Sequence, residues 1–245
     1  MNRSQSTELN AIIELFGDYL EAGYRRQPTS DAAGAPAAPG PSAGDRRPAA
    51  AAGTGEATED RAAGLKLLEQ SVRACTLCAL HQGRMHAVPG VGVLDPLVMV
   101  IGEGPGAEED AKGEPFVGAA GRYLDKWLAA VDLSRRSNVY ITNIVKCRPP
   151  NNRDPLPNES QACAGYLARQ IELVRPRVIL SVGRVATQLL LESQDGIGKL
   201  RGGDWVYRDI PVVPTYHPSA VLRNDQWRRP VWEDLKRLRR LLDGT

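Results

Sequence analysis

The 245-residue sequence has no long hydrophobic run, few cysteines and little net charge. No apolar stretch approaches the roughly 20 residues that a membrane-spanning helix needs, so we expect no membrane association. Residues 1–20 lack the basic, apolar and small-residue order of a secretory signal, which predicts a cytoplasmic protein. Four cysteines in a reducing compartment are better suited to metal binding than to structural disulfides.

Large apolar side chains are also missing from one continuous segment, residues 27–64. Such a composition cannot bury enough surface to offset its ordering entropy, which predicts a disordered linker over residues 26–64. Before it, residues 7–22 carry a single apolar helical stripe, which predicts an amphipathic helix within residues 1–25. We expect this helix to pack on its own protein, with a protein partner as the alternative, and we expect a monomer.

Strand and helix patterns alternate over residues 65–243. Buried strands are predicted at 96–104, 138–145 and 177–183, and a hairpin or two short strands at 204–219. Helices are predicted at 65–74, 118–133, 158–174, 184–193 and 226–242. The fold class is therefore α/β, a three-layer α/β/α sandwich around a mostly parallel sheet, preceded by a disordered N-terminal extension. This body carries 25 basic and 20 acidic side chains, a balance that suits a polyanionic partner.

The cysteine spacing is C-x2-C at Cys75 and Cys78, followed much later by C-x15-C at Cys147 and Cys163. A redox dithiol at the close pair would leave the distant pair unexplained. Zinc ribbons usually have two close pairs, whereas iron–sulfur clusters tolerate one close pair and scattered thiolates. The spacing leaves structural zinc, an iron–sulfur cluster and four unrelated buried cysteines open.

Two loops at predicted strand ends carry candidate site residues. The segment "GEGPGAEEDAKGEPFVG" (102–118) is a poor phosphate cradle, because Pro105 lacks an N–H and three acidic residues follow. Its glycines instead allow a flat ligand to approach the backbone, and Phe116 between glycines suits a stacking platform. The segment "NIVKCRPPNNRDP" (143–155) is predicted to be a rigid loop at the carboxyl end of a strand, where active sites of open α/β sheets lie.

Histidine is scarce, with His81 and His86 near the close cysteine pair and His217 elsewhere. His217 ends an apolar strand directly before Pro218, which stops any continuation of that strand. This position makes His217 the strongest candidate for a site histidine.

Four segments together resemble family 4 of the uracil-DNA glycosylase superfamily, the iron–sulfur enzymes of bacteria and archaea. They are "GEGPGAEED", "GEPFVGAAG", "TNIVKCRPPNNRDP" and "HPSAVLR", in that order. The resemblance covers residues 65–243 and implies a glycosylase domain there. It implies hydrolysis of the N-glycosidic bond of flipped-out deoxyuridine in single- or double-stranded DNA, which leaves an abasic site.

The resemblance also implies residue roles. A 4Fe–4S cluster would be held by Cys75, Cys78, Cys147 and Cys163. Asn143 would read uracil, with its amide oxygen accepting from N3–H and its NH2 donating to O4. Phe116 would stack on the base and His217 would donate to O2, where the anionic charge of the leaving base collects. Gly102 and Gly104 would lie against the substrate, and Glu103 would position the water or contact the base.

Further implied roles concern DNA and the surrounding loops. Val221, Leu222 and Arg223 would fill the vacated base stack, as apolar wedges do. Lys146, Arg148 and Arg153 would contact phosphates. Glu109 would brace the active-site loop, with a solvated helix-start charge as the alternative.

The sequence departs from the best-studied superfamily branch at Gly104, where that branch has an acidic residue, and at Gly106, where it has a tyrosine. The source of water activation and of thymine exclusion is therefore open. Two alternatives are a non-catalytic, metal-stabilised nucleic-acid-binding module and a glycosylase that traps DNA covalently. Glycosylases that trap DNA covalently use a histidine in an inserted loop, and residues 150–157 contain neither the histidine nor the insertion.

Overall fold

The structure is a computed structural model that describes residues 54–244. The predicted helix within residues 1–25 and residues 26–53 of the predicted linker lie outside the described residues. Among residues 54–244, no helix is both long enough and apolar enough to cross a membrane.

The described chain is an α/β fold around one six-stranded sheet. The strands are β1 (Val91–Gly92), β2 (Val98–Gly102), β3 (Val139–Asn143), β4 (Val178–Val182), β5 (Trp205–Tyr207) and β6 (Ile210–Thr215). The helices are α1 (Thr54–Arg73), α2 (Ala107–Lys112), α3 (Ala119–Ala129), α4 (Pro157–Val174), α5 (Arg184–Leu190), α6 (Ile197–Leu200), α7 (Pro218–Arg223) and α8 (Arg228–Asp243). Short 3-10 turns cover Ala79–Gln82, Pro150–Asn152 and Asp225–Trp227.

The sheet has the order β1-β3-β2-β4-β6-β5. The four central strands are parallel, whereas β1 and β5 pair antiparallel at the two edges. Every residue of β2, β3 and β4 is buried, as expected for parallel strands covered on both faces. The chain adds β3 on one side of β2 and β4 on the other, so the strand order reverses at the carboxyl end of β2. Ligands bind at such a crevice in open α/β sheets.

Alternate strand residues point to two hydrophobic clusters, one on each face of the sheet. One face packs under α1, α4 and α5 through Leu65, Leu68, Met99, Ile101, Tyr140, Leu167, Ile171, Ile179 and Leu190. The other packs under α3 and α8 through Val98, Val100, Leu124, Trp127, Ile141, Val178, Leu180, Leu235 and Leu238. The predicted three-layer arrangement is confirmed.

The strands, helices and hairpin predicted within residues 65–243 are all present, with one large difference in extent. Helix α1 begins at Thr54 rather than at residue 65, so residues 54–64 of the predicted linker are helical. The stabilising contacts are polar and long-range: Arg61 donates to both carboxylate oxygens of Asp95 at 2.8 and 2.6 Å and to Leu173 O at 3.1 Å. The absence of apolar side chains therefore does not prevent this segment from ordering.

Candidate active site

The candidate site lies at the carboxyl ends of four parallel strands. Glu103 follows β2, Asn143 ends β3, Gly183 follows β4 and His217 follows β6. These residues line one cavity of about 470 Å³, together with Phe116. A volume of this size is typical of small-molecule pockets.

Asn143 is the buried polar centre of this cavity. Its side chain is 1% exposed, and its Oδ1 has no hydrogen-bond partner among the described residues. Nearly all buried polar atoms are paired in native proteins, because an unpaired one costs about 1–3 kcal/mol. An unpaired amide oxygen in a cavity wall is therefore suited to a ligand that offers a donor.

Gly102 and Phe116 close around the Asn143 amide. A Cβ atom on Gly102 would lie 2.5 Å from Asn143 Oδ1 and 2.6 Å from Phe116 Cζ, so only glycine fits there. The ring centroids of Phe116 and His217 are 5.8 Å apart. The structure thus brings the predicted amide, aromatic ring and imidazole into one cavity.

His217 has a defined tautomer. Its Nδ1 lies 3.2 Å from the backbone N–H of Ser219, which can only donate, and 2.8 Å from Ser219 Oγ. Nδ1 is therefore an acceptor, and the ring proton lies on Nε2. The His217 pKa is lowered to about 4, mainly by burial. The charge of Arg223 also lowers it, and the smaller effect of Glu109 raises it. The imidazole is neutral at pH 7 and can donate one hydrogen bond from Nε2.

Glu103 has the opposite perturbation. Burial raises its pKa to about 7, with a further increase from Asp154 and a decrease from Arg184. Arg184 Nη2 and Asp154 Oδ2 form an ion pair at 2.5 Å, and both residues line the same cavity as Glu103. Glu103 is therefore poised to exchange a proton near neutral pH.

Glu109 braces the Phe116 loop. Its Oε1 accepts from the backbone N–H groups of Val117 and Gly118, both at 2.9 Å. A Cβ on Gly106 would lie 2.8 Å from Glu109 Oε2, so glycine at 106 makes room for this carboxylate. At Gly104 a Cβ would lie 2.8 Å from Val145 Cγ2. Close packing therefore favours glycine at position 104 as well.

Two predicted DNA contacts are wrong. Lys146 is 1% exposed, and its Nζ donates to Thr142 Oγ1, Asn143 O and Gln170 Oε1 at 2.6–2.7 Å. These three acceptors satisfy the protonated ammonium, although burial lowers its pKa to about 7. Lys146 therefore supports the strand end that carries Asn143 and does not reach a phosphate.

Val221 is also fully buried, because it lies on the face of the short helix α7 that packs against the core. It cannot enter a base stack without unfolding that helix. Its neighbour Leu222 is 48% exposed, and Arg223 lies on the rim of the cavity. The intercalating role stays a prediction for these two residues.

The remaining basic residues are held by local contacts. Arg148 Nε donates to Asn152 Oδ1 at 2.8 Å. Arg153 forms a bidentate ion pair with Glu159 at 2.8 and 2.7 Å, which ties the loop to α4. Their contacts with phosphates stay predictions.

The sequence did not point to several residues of the cavity. Asp154, Arg184 and Ser219 follow predicted strand ends or loops, but each resembles an ordinary solvated residue in the linear pattern. Their common signal is position, since all lie directly beyond the carboxyl ends of the sheet or in the loop 143–155.

A second cavity is lined by all four cysteines, together with Val72, Arg84, Lys146 and Tyr166. Arg84 Nη1 donates to Cys147 Sγ at 3.0 Å, and the backbone N–H of Lys146 donates to Cys163. Burial raises the pKa of the Cys163 thiol to about 12. Within residues 54–244, no group of three or more His, Cys, Asp or Glu side chains has an arrangement that could hold a metal ion. The fold gathers the four thiols around one space without a preformed metal geometry.

Comparison with known proteins gives a consistent family. Residues 89–236 match the sequence model of the uracil DNA glycosylase superfamily. The type-4 uracil-DNA glycosylase of Sulfurisphaera tokodaii is 43% identical over 185 residues, which cover 72% of this chain and 84% of that protein. The type-4 uracil-DNA glycosylase of Thermotoga maritima is 44% identical over 178 residues, covering 71% of this chain and 92% of that protein.

A more distant relative is the type-5 uracil-DNA glycosylase of Pyrobaculum aerophilum, 33% identical over 150 residues. That alignment covers 55% of this chain and 66% of the relative. The type-4 alignments are longer and closer. The chain therefore belongs to the uracil DNA glycosylase superfamily, and within it to the type-4 family.

Proposed function

We propose that this protein hydrolyses the N-glycosidic bond of deoxyuridine in DNA, releases uracil and leaves an abasic site for base excision repair. The observation that carries this proposal is the buried, unpaired Oδ1 of Asn143 in a cavity shared with Phe116 and His217. The reacting base must leave the duplex to enter such a pocket.

Asn143 selects uracil through the direction of its hydrogen bonds. Oδ1 accepts from uracil N3–H, and the amide nitrogen donates to O4. Cytosine presents an acceptor at N3 and a donor at N4, so two acceptors and two donors would face each other. A buried site with mismatched polar groups can reject such an analogue by about 10⁴-fold. Lys146 strengthens this selection, because it holds the backbone carbonyl of the same residue.

Phe116 and His217 act on the same base. The aromatic ring provides a flat stacking surface, which is worth about 1–3 kcal/mol per base. Bond cleavage leaves negative charge on the departing uracil. The Nε2–H of His217 donates to O2, and a neutral imidazole is sufficient because it supplies one fixed dipole.

Glu103 positions the attacking water. A carboxylate at this place can accept a proton from water as the sugar becomes electron-deficient. Gly104 carries no acidic side chain, so Glu103 is the first carboxylate in the chain after strand β2.

We also propose that Cys75, Cys78, Cys147 and Cys163 hold a 4Fe–4S cluster. Two donors in the cysteine cavity suit thiolate ligands: the Arg84 guanidinium at Cys147 and the Lys146 amide at Cys163. When bound, the cluster supplies a structural crosslink between the segment after α1, the loop after β3 and helix α4. A purified protein with broad absorbance near ~400 nm and about four iron atoms per chain would support it. A colourless protein that contains zinc would contradict it.

A labelled single-stranded oligonucleotide with one uracil tests the glycosylase activity. Incubation followed by alkali should cut the strand at the uracil, whereas incubation without alkali should leave it intact. Asn143→Ala should reduce uracil release at least about 100-fold, because the base then loses both amide contacts. Asn158→Ala is the matched control, since this asparagine is exposed at the start of α4. An intact strand after alkali would favour the non-catalytic binding module.

A further inference from the structure

The backbone at Phe116 adopts an unusual conformation. Its φ is +54°, a left-handed value that residues other than glycine rarely adopt, and its ring is buried. Such a conformation persists only when surrounding contacts fix it. The contacts that hold this residue therefore determine where the aromatic ring lies in the cavity.

The downstream side of Phe116 is held by Glu109, through the two amides that follow it. The upstream side is held by a residue far along the chain, Arg135. Arg135 Nη1 donates to Pro115 O at 3.1 Å, and Nη2 donates to Phe116 O at 2.8 Å. One planar guanidinium thus grips two consecutive carbonyl groups.

Arg135 is itself fixed. Its Nε donates to Asp125 Oδ1 at 2.9 Å, and Nη1 lies 3.5 Å from Glu114 Oε1. Its side chain is 16% exposed. A Cβ on Gly121 would lie 1.8 Å from Phe116 O, so the gripped carbonyl lies directly against helix α3. This arrangement leaves little freedom for the Phe116 backbone.

We propose that Arg135 is a positioning residue, which holds the left-handed backbone of Phe116 so that the ring lies parallel to the extruded base. The proposal rests on the proposed function, in which Phe116 stacks on uracil. Arg135 does not line the cavity and touches no reacting atom. A lysine at this position would be a poor substitute, because its point charge cannot serve two carbonyls and Asp125 in one plane.

A double-mutant cycle tests this role through uracil release. Arg135→Met should lower kcat/KM about 10-fold, whereas Arg136→Met, an exposed neighbour, should change it less than about twofold. In a Phe116→Ala background, Arg135→Met should cause no further loss, because the ring it positions is gone. An equal loss in both backgrounds would show a general structural role and overturn the proposal.

Amide hydrogen exchange gives a readout that does not depend on activity. Peptides that cover residues 114–118 should exchange about 10-fold faster in Arg135→Met, and Arg136→Met should leave them unchanged. Arg135→Lys, which keeps the charge, should fall between these two variants and serves as the test protein if Arg135→Met does not fold. Unchanged exchange in both Arg135 variants would overturn the positioning role even if the wild type released no uracil, an outcome that would separately refute the proposed function.

Discussion

Glu103 predicts a specific pH dependence of uracil release. Its pKa is raised to about 7, mainly by burial, whereas His217 has a pKa of about 4 and stays neutral from pH 5.5 upwards. If ionised Glu103 positions the water, the single-turnover rate must rise with pH and level off above its pKa. His217 cannot produce this rise, because its protonation state does not change over the range.

The size of the rise follows from the fraction of ionised carboxylate. With a pKa of about 7, roughly a tenth of the protein carries the carboxylate at pH 6 and roughly nine tenths at pH 8. The rate should therefore increase about 10-fold between these values. Glu103→Gln, which cannot ionise, should give a flat profile about 100-fold below the wild-type plateau.

Two neighbours of Glu103 should move the profile in opposite directions. Asp154 raises the Glu103 pKa and Arg184 lowers it. Asp154→Asn should therefore shift the rise to lower pH, and Arg184→Gln should shift it to higher pH. Because these two residues are about half exposed, the shifts should shrink as salt is added.

The assay is single-turnover release of uracil from a labelled oligonucleotide, with excess enzyme, from pH 5.5 to 8.5 at constant ionic strength. Glu108→Gln is the matched control, because this exposed glutamate in α2 should leave the profile unchanged. An unaltered rise in Glu103→Gln would refute the role of Glu103. Shifts of the same sign in the Asp154 and Arg184 variants would refute the electrostatic reasoning.

Four further predictions concern residues other than Glu103. Lys146→Met should lower the free energy of unfolding by about 3 kcal/mol in urea melts, because it leaves buried acceptors unpaired, yet the salt dependence of DNA binding should not change. Arg223→Gln, on the cavity rim, should instead reduce the slope of log affinity against log salt by about one, measured by fluorescence anisotropy. Cys163→Ala should lower both the absorbance near ~400 nm and the melting temperature, and Arg84→Met should speed the loss of that absorbance in air, since Cys147 loses its donor.

The central strands and long helices could be predicted from the sequence because each depends on a local pattern. Residues 98–102 and 178–182 are continuous apolar runs, and parallel strands covered on both faces require such runs. The sequence does not predict helix α7, which has six residues, or strand β1, which has two, because such short elements show too little periodicity. The composition of residues 54–64 predicts a linker, because the segment has no large apolar side chain. The groups that bind Arg61, Asp95 and Leu173, are remote in the chain, so the sequence does not reveal them.

The same distinction applies to the site. Asn143, Phe116 and His217 lie in recognisable motifs, and the structure brings them together. The predicted phosphate contact of Lys146 requires a solvent-exposed ammonium, as most lysines have, yet this lysine is buried. Its burial depends on Gln170, an acceptor supplied by a helix that the linear sequence does not connect with it. Tertiary partners of this kind cannot be read from local composition.

Lys146 and Cys147 together explain why a cysteine follows the base-reading strand. The side chain of Lys146 donates to the carbonyl of Asn143, while its backbone N–H donates to Cys163. Cys147 faces the cysteine cavity and accepts from Arg84. Residues 143–147 thus connect the backbone of Asn143 with the four-thiol cavity, since the Lys146 side chain binds the Asn143 carbonyl and both Lys146 and Cys147 line that cavity. A crosslink among the thiols would restrain the strand end, and a restrained strand end is what a fixed, discriminating amide requires.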